Sequence, residues 1–143
     1  VIESVKLTGE DGEALKLVDG RRRVALEIRV RLKRDLEDVI IGFYLKNRLG
    51  QRLFGDNTYL HRADAPVSGK EGDVLAARFE FRMPIMPSGS YMIDAAVATG
   101  AQDSHVQQHW LHDALEILAL DETLRYGLIG IPMLAVDVNR EAS

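Results

Sequence analysis

Along residues 23–33 the chain alternates without a break: Val24, Leu26, Ile28, Val30 and Leu32 are separated by Ala25, Glu27, Arg29 and Arg31, with Arg23 and Lys33 at the ends. A side-chain period of two belongs to a β-strand with one covered face; on a helix these residues would scatter around the axis. Phe79, Phe81 and Met83 alternate with Arg78, Glu80 and Arg82 in the same way, and Leu75 and Ala77 extend this second strand back toward Asp73. Tyr91, Ile93, Ala95 and Val97 make a third, with Asp94 and small alanines on its other face. Residues 38–46 are apolar on both sides, through Val39, Ile41, Phe43 and Leu45 but also Ile40 and Tyr44. That pattern predicts a central strand covered on both faces, with Ile40 and Tyr44 partly under a ligand or another chain.

The punctuation between these runs favours short connections. Asn47-Arg48-Leu49-Gly50, ahead of Gln51-Arg52-Leu53-Phe54, has the Asn and Gly that a tight hairpin needs for its positive φ angles. Pro87-Ser88-Gly89-Ser90 reads as the same kind of link ahead of Tyr91, and Pro84 and Pro87 end the strand before it because proline has no N–H for a ladder. Strands spaced by about 8–12 residues, with turns between and no alternation with helices, predict an all-β chain folded as an antiparallel β-sandwich. At 143 residues, against about 150 per domain, a single domain is expected. Two stretches fit less simply. Val106, Trp110, Ala114, Ile117 and Leu118 also fit a helical stripe, so residues 105–120 read equally as helix or strand. Residues 127–136 are apolar but contain Pro132, which suits an edge or exchanged strand.

Composition removes several classes of function. There is no cysteine, hence no disulfide, thiolate metal site or cysteine nucleophile. Eighteen basic against 22 acidic residues leave a net charge of -4, so no global positive field draws the chain to nucleic acid or anionic lipid. The longest apolar stretches, 114–120 and 127–138, fall short of the about 20 residues a membrane helix needs. Hydrophobic residues at 46% and charged residues at 28% suit a packed globular chain instead of a disordered one. The start at Val1, without an initiator methionine or a signal sequence, is that expected of a piece of a longer polypeptide.

Candidate chemistry is sparse. His105, His109 and His112 recur at i, i+4 and i+7, with Asp113 and Glu116 nearby. On a helix the three imidazoles would share one face and reach a zinc ion, whereas on a strand His112 would turn away from the other two. Solvated or partner-facing histidines are the simpler reading, and no metal is assigned; His61 is isolated and expected to be exposed. Ser88 and Ser90 lack a nucleophile elbow, and Gly69-Lys70-Glu71 lacks the rest of a phosphate-binding loop. Asp11 with Glu13, and Asp35 with Glu37 and Asp38, fall in apparent loops where turn chemistry accounts for them. No catalytic residue and no cofactor is assigned. On the outward faces, Arg29 and Arg31 of one strand and Arg78 and Arg82 of another form a basic stripe broken by Glu27 and Glu80. Such a stripe is either a solvated face of cross-strand ion pairs or a platform for a sugar bearing carboxylate or phosphate, to which arginine offers a bidentate fork. Tyr44, Tyr59 and Trp110 are flat surfaces against which pyranose rings could pack.

Ile41-Gly42-Phe43, then Gly50, then Leu53-Phe54-Gly55-Asp56-Asn57-Thr58 resemble a known succession of strand, hairpin glycine and "L-F-G-x-N-T" motif. Phe79-Glu80-Phe81 ahead of Pro87-Ser88-Gly89-Ser90-Tyr91, and Trp110-Leu111-His112-Asp113-Ala114 at the start of a late strand, continue it. In order and spacing, residues 1–136 resemble the C-terminal domain of Wzt, the nucleotide-binding subunit of ABC transporters that export O-antigen polysaccharide. The resemblance implies an immunoglobulin-like or jelly-roll sandwich that binds the exported glycan, often at its modified non-reducing end, and is not an enzyme. It implies an ATPase domain elsewhere on the polypeptide, a membrane-spanning transporter subunit as partner, and a cytoplasmic location peripheral to the inner membrane. It also implies a homodimer with exchanged C-terminal strands, residues 1–126 forming the sandwich body and 127–138 the exchanged segment. Ile117 and Leu118, where an aromatic is expected, and Leu134-Ala135, with none nearby, depart from the pattern.

Several readings stand on the residues themselves. Gly55-Asp56-Asn57-Thr58 reads as a sharp turn after a strand, Asn57 and Thr58 satisfying backbone groups through their side chains. Phe79 and Phe81 point inward, and Phe81→Ala would cost about 3–5 kcal/mol if Phe81 is fully buried. By elimination the carbohydrate-binding set falls on exposed faces: Arg29, Arg31, Tyr44, Lys46, Arg78 and Arg82. A structural dimerisation or docking domain without a glycan pocket is the alternative, and a metal-dependent enzyme built on His105, His109, His112 and Glu116 a third reading.

Overall fold

Each run of period two is a strand in the computed structural model, which describes residues 1–62, 65, 67–101, 104–121, 131 and 133–140. Among the described residues lie β1 (Ile2–Thr8), β2 (Leu17–Asp19), β3 (Arg23–Arg31), β4 (Leu36–Lys46) and β5 (Arg52–Asn57), then a one-turn helix α1 (Thr58–Arg62). They are followed by β6 (Val67–Gly69), β7 (Val74–Arg82), β8 (Gly89–Ala101) and β9 (Ser104–Leu120). A three-stranded sheet has the order β1-β3-β7, and a six-stranded sheet the order β2-β9-β8-β4-β5, with β6 also paired to β4. Alternation decides how they stack. Val24, Leu26, Ile28 and Val30 of β3 share one buried core with Ile41, Phe43 and Leu45 of β4 and Ile93, Ala95 and Val97 of β8. Each large side chain buried there contributes about 1.5–3 kcal/mol.

The result is the expected all-β sandwich, antiparallel throughout except where the three residues of β2 run parallel to the end of β9. Residues 105–120 fall within β9, a 17-residue strand. Its pairing with β8, from Gly89↔Ala119 to Ala101↔Ser104, satisfies the backbone in a way the local pattern does not disclose. Asn47 closes the β4–β5 hairpin as read, its Oδ1 accepting the N–H groups of Leu49 at 3.0 Å and Gln51 at 2.9 Å. The link through Pro87–Ser90 is not a hairpin. It carries the chain from β7 in the small sheet to β8 in the large one, so it connects layers instead of neighbouring strands.

Three further expectations change. Gly55, Asp56 and Asn57 belong to β5, and the turn comes after them, where Asn57 Oδ1 accepts the Leu60 N–H at 3.0 Å and Thr58 Oγ1 accepts that of Ile41 at 3.0 Å. Phe81 is only half-buried, in a group where Phe43 meets Phe79 at 5.1 Å and Phe81 at 6.1 Å, so the cost of full burial does not apply. Ile40 is 8% exposed and already covered by its own chain. Of the segment 127–138, residues 127–130 and 132 lie outside the described residues. Ile131, Met133, Leu134, Val136 and Val138 are exposed and lie in no strand.

Candidate glycan-binding face

Strand register assembles a shallow site on the outer face of the six-stranded sheet. Ile40, Gly42, Tyr44 and Lys46 of β4 pair with Ala98, Ala96, Asp94 and Met92 of β8, and Ala96 pairs with Trp110 of β9. Small residues at 42, 96 and 98, between larger side chains, leave a concavity of about 210 Å³ lined also by Gly55, Asp56, Asn57 and Leu60. Gly55 lies opposite Tyr44, and a Cβ there would stand 2.4 Å from the Phe43 carbonyl oxygen and 2.7 Å from Tyr44 Cδ1. At Gly42 a Cβ would meet Asn57 Cβ at 2.8 Å. The tyrosine ring can therefore lie flat across β5 only because that strand has no side chain beneath it.

Tyr44 and Trp110 stack, with centroids 6.0 Å apart and planes inclined by 20°. The Arg52 guanidinium sits 4.2 Å from the Tyr44 ring and 5.3 Å from that of Trp110, and the His112 ring lies 5.4 Å from Trp110. A cation held over an exposed aromatic face is worth about 0.5–1 kcal/mol. The Trp110 Nε1 donor is buried with no acceptor among the described residues.

Beside the stack stands a charged cluster. Lys46 Nζ is 3.0 Å from Asp94 Oδ1 and 2.8 Å from Asp113 Oδ1. Asp94 is 3% exposed; its Oδ1 accepts the Asp113 N–H at 2.8 Å, and its Oδ2 lies 3.5 Å from His112 Nδ1. Burial pushes the Asp94 carboxyl up, but the Asp113 N–H, the Lys46 ammonium and His112 outweigh it and hold the group below the ordinary carboxylate range. Hydrogen bonds to Asp113 and Asp94 hold Lys46 above the ordinary lysine value. On the far side of the concavity, His61 Nε2 lies 2.8 and 2.9 Å from the two Asp56 carboxylate oxygens. His61 is exposed as expected but not isolated.

The six residues expected to bind carbohydrate do not meet. Tyr44 and Lys46 lie on this face, whereas Arg29 and Arg31 lie on the outer face of the three-stranded sheet, and Arg78 and Arg82, on its edge strand β7, line a second concavity of about 520 Å³ with Gly55, Asp56 and His61. These arginines each have an acidic or carbonyl partner nearby. Arg29 lies 3.8 Å from Glu27; Arg31 pairs with Glu3 and donates to the Gly72 carbonyl at 3.2 Å. Arg78 pairs with Glu80, which also takes Arg23 at 3.0 Å, and Arg82 donates to the Arg21 carbonyl at 3.3 Å. Hydrogen bonds from Arg23 and then Arg78 hold the Glu80 carboxyl below its ordinary value. Tyr59 is on α1, outside the lining of the concavity.

The histidines do not gather either. His109 pairs with Val97 on the core side, its Nδ1 accepting the Ile2 N–H at 3.0 Å, while His112 is outward beside Asp94; the side chain of His105 lies outside the described residues. Arg52 and Asp94 were missed as members of a site, and Asp113 was noted only beside the histidines. The alternation of Asp94, Ala96 and Ala98 with buried neighbours was the available signal, since a small-residue face on a central strand leaves room for something else.

Residues 1–131 match the Wzt C-terminal domain family. A crystal structure of the C-terminal domain of Wzt superposes with a TM-score of 0.84 at 18% identity, covering 96% of this chain and 83% of that one, which speaks for the fold. The CARDB domain of a Pyrococcus furiosus protein, crystallised with di-metal ions, reaches a TM-score of 0.47 at 13% identity over 83% of this chain and 89% of that one, and nothing about this chain follows from it. No curated protein sequence matches significantly. With the family match running through nearly the whole sandwich, the chain belongs to the Wzt C-terminal domain family, a domain associated with ABC transporters.

Proposed function

We propose that this domain binds O-antigen polysaccharide on the outer face of its six-stranded sheet, without chemistry on the sugar, and so gives an ABC exporter its substrate preference. The observation that carries this reading is the Tyr44–Trp110 stack beside a concavity floored by small residues. A pyranose ring offers apolar C–H faces and a rim of hydroxyls. Flat aromatic surface takes the first, and planar side chains such as Arg52, Asp56, Asn57 and His112 take the second. Polar clusters on two sides of the concavity favour a chain end, the modified non-reducing terminus, over a chain passing through.

In this reading the domain is joined to an ATPase domain on the same polypeptide and works with a membrane-spanning transporter subunit at the cytoplasmic side of the inner membrane. None of the described helices is long and apolar enough to cross a membrane. A homodimer completed by exchanged C-terminal segments is favoured by the exposure of Leu134 at 99% and Val138 at 91%. A role in dimerisation or docking is favoured by the same residues with Leu17, Leu118 and Leu120, and is compatible with glycan binding.

Calorimetric titration with O-polysaccharide of the producing strain, intact and with its non-reducing end removed, tests the proposal. Binding of intact chains alone, abolished in Trp110→Ala, is the expected result. Equal binding of trimmed chains would remove end recognition, and no binding of either would leave the docking role.

A further inference from the structure

Asp94 stands at the wider of two breaks in the β8–β9 ladder. Ile93 pairs with Leu115 and Ala95 with Leu111, so three residues of β9, 112–114, oppose this one aspartate. Two extra residues preserve the alternation, and Leu111 and Leu115 both pack against the core. The excess emerges on the outer face, where Asp113 adopts a φ of 53°. An N–H turned out of a ladder in this way needs another acceptor, and the Asp94 carboxylate supplies it for Asp113 at 2.8 Å. The same group contacts Lys46 and His112, and in the register of β4 and β8 it lies directly opposite Tyr44. It therefore reaches both halves of the aromatic shelf: Tyr44 through the ladder, and Trp110 through the His112 ring.

We infer that Asp94 is a positioning residue for the glycan-binding face: with Lys46 as its counter-ion it pins the 112–114 bulge, so that His112 and Trp110 lie beside Tyr44. The inference rests on the glycan reading given above. Both carboxylate oxygens are occupied and the residue is 3% exposed, so it acts through its neighbours and does not touch the sugar. The nearby charges are Lys46, Asp113 and His112, and none is left facing Asp94 alone.

Trp110 is the single tryptophan of the chain, so fluorescence of the ligand-free protein reports its surroundings directly. Asp94→Asn keeps an acceptor of the same shape, and Asp94→Ala removes it. The asparagine variant is expected to retain wild-type emission and near-ultraviolet circular dichroism, and polysaccharide affinity within about threefold of wild type. The alanine variant is expected to melt cooperatively while its Trp110 emission shifts to the red and its affinity falls about tenfold or more. A folded alanine variant with wild-type emission and affinity overturns the inference. So does an asparagine variant that binds as poorly as alanine at wild-type emission, because the carboxylate would then contact the sugar itself. Should Asp94→Ala fail to fold, His112→Ala decides: removal of this exposed ring must shift Trp110 emission at an unchanged melting temperature, and no shift overturns the inference. Failure of the wild type to bind polysaccharide would defeat the glycan reading, while the emission comparison, made without ligand, still decides the role of Asp94.

Discussion

A methyl group at position 55 has nowhere to go: the Phe43 carbonyl oxygen is backbone and the Tyr44 ring already lies across the strand. Gly55→Ala is expected to lift that ring from its place beside Trp110, lowering polysaccharide affinity about tenfold in calorimetry, with a lower melting temperature because the backbone must also give. The arginines on the opposite sheet predict the contrary outcome. Alanine at both Arg29 and Arg78 breaks exposed pairs worth a few tenths to about 1 kcal/mol and should leave glycan affinity unchanged. Phe81→Ala should cost about 2 kcal/mol in urea unfolding, less than a fully enclosed phenylalanine, since its ring is half-buried beside Phe43 and Phe54. Tyr44 was legible in the sequence because it interrupts an otherwise regular alternation. Arg52 and Asp94 were not, because their meaning depends on partners 58 and 19 residues away, Trp110 and Asp113, which only strand register brings near.

β9 shows why an element can be ambiguous in sequence yet definite in the fold. Its apolar residues fit a helical stripe partly because the one extra residue between the Val97↔His109 and Ala98↔Gln107 pairs shifts the phase of a true alternation. Opposite Asp94 the excess is two residues, so Leu111 and Leu115 stay in phase across the bulge. The strands without bulges, β3 and β7, were legible from end to end, and their register from Arg23↔Arg82 to Arg31↔Val74 has no interruption. The charges that hold the bulge give it a pH signature. Asp94 has a depressed folded value, so its contribution is present above the unfolded value of about 3.9 and is lost as pH falls through the folded one. Lys46 has a raised folded value, so its contribution is present below the unfolded value of about 10.4 and is lost as pH rises through the folded one. The stability difference between wild type and the double variant Asp94→Asn, Lys46→Met, measured by denaturant unfolding, should therefore be level from about pH 5 to 9 and change at both extremes. A difference that changes steadily through neutral pH would assign the linkage to other groups.

For the whole molecule, the two sheets divide the work in a way that counting charges on the sequence obscures. The sandwich and its family were legible, since turn residues and alternation are local and the motifs keep their order along the chain. The face proposed for the glycan was not, because Arg29 and Arg78 stand beside Glu27 and Glu80 only once the strands are folded. The exposed apolar residues from Ile131 to Val138 predict a second copy. Deleting residues 131–143 should convert a dimer to a monomer in light scattering while each sandwich still melts cooperatively, and a dimer that survives would place the contact elsewhere. In β4, Val39, Ile41, Phe43 and Leu45 are each at most 5% exposed, while Tyr44 and Lys46 between them look outward. Neighbouring codons thus answer to different pressures: one set is constrained by folding, and the other, on the glycan reading proposed above, is free to follow the ligand. If that reading holds, a lineage could change its surface sugars without having to rebuild the fold that inspects them.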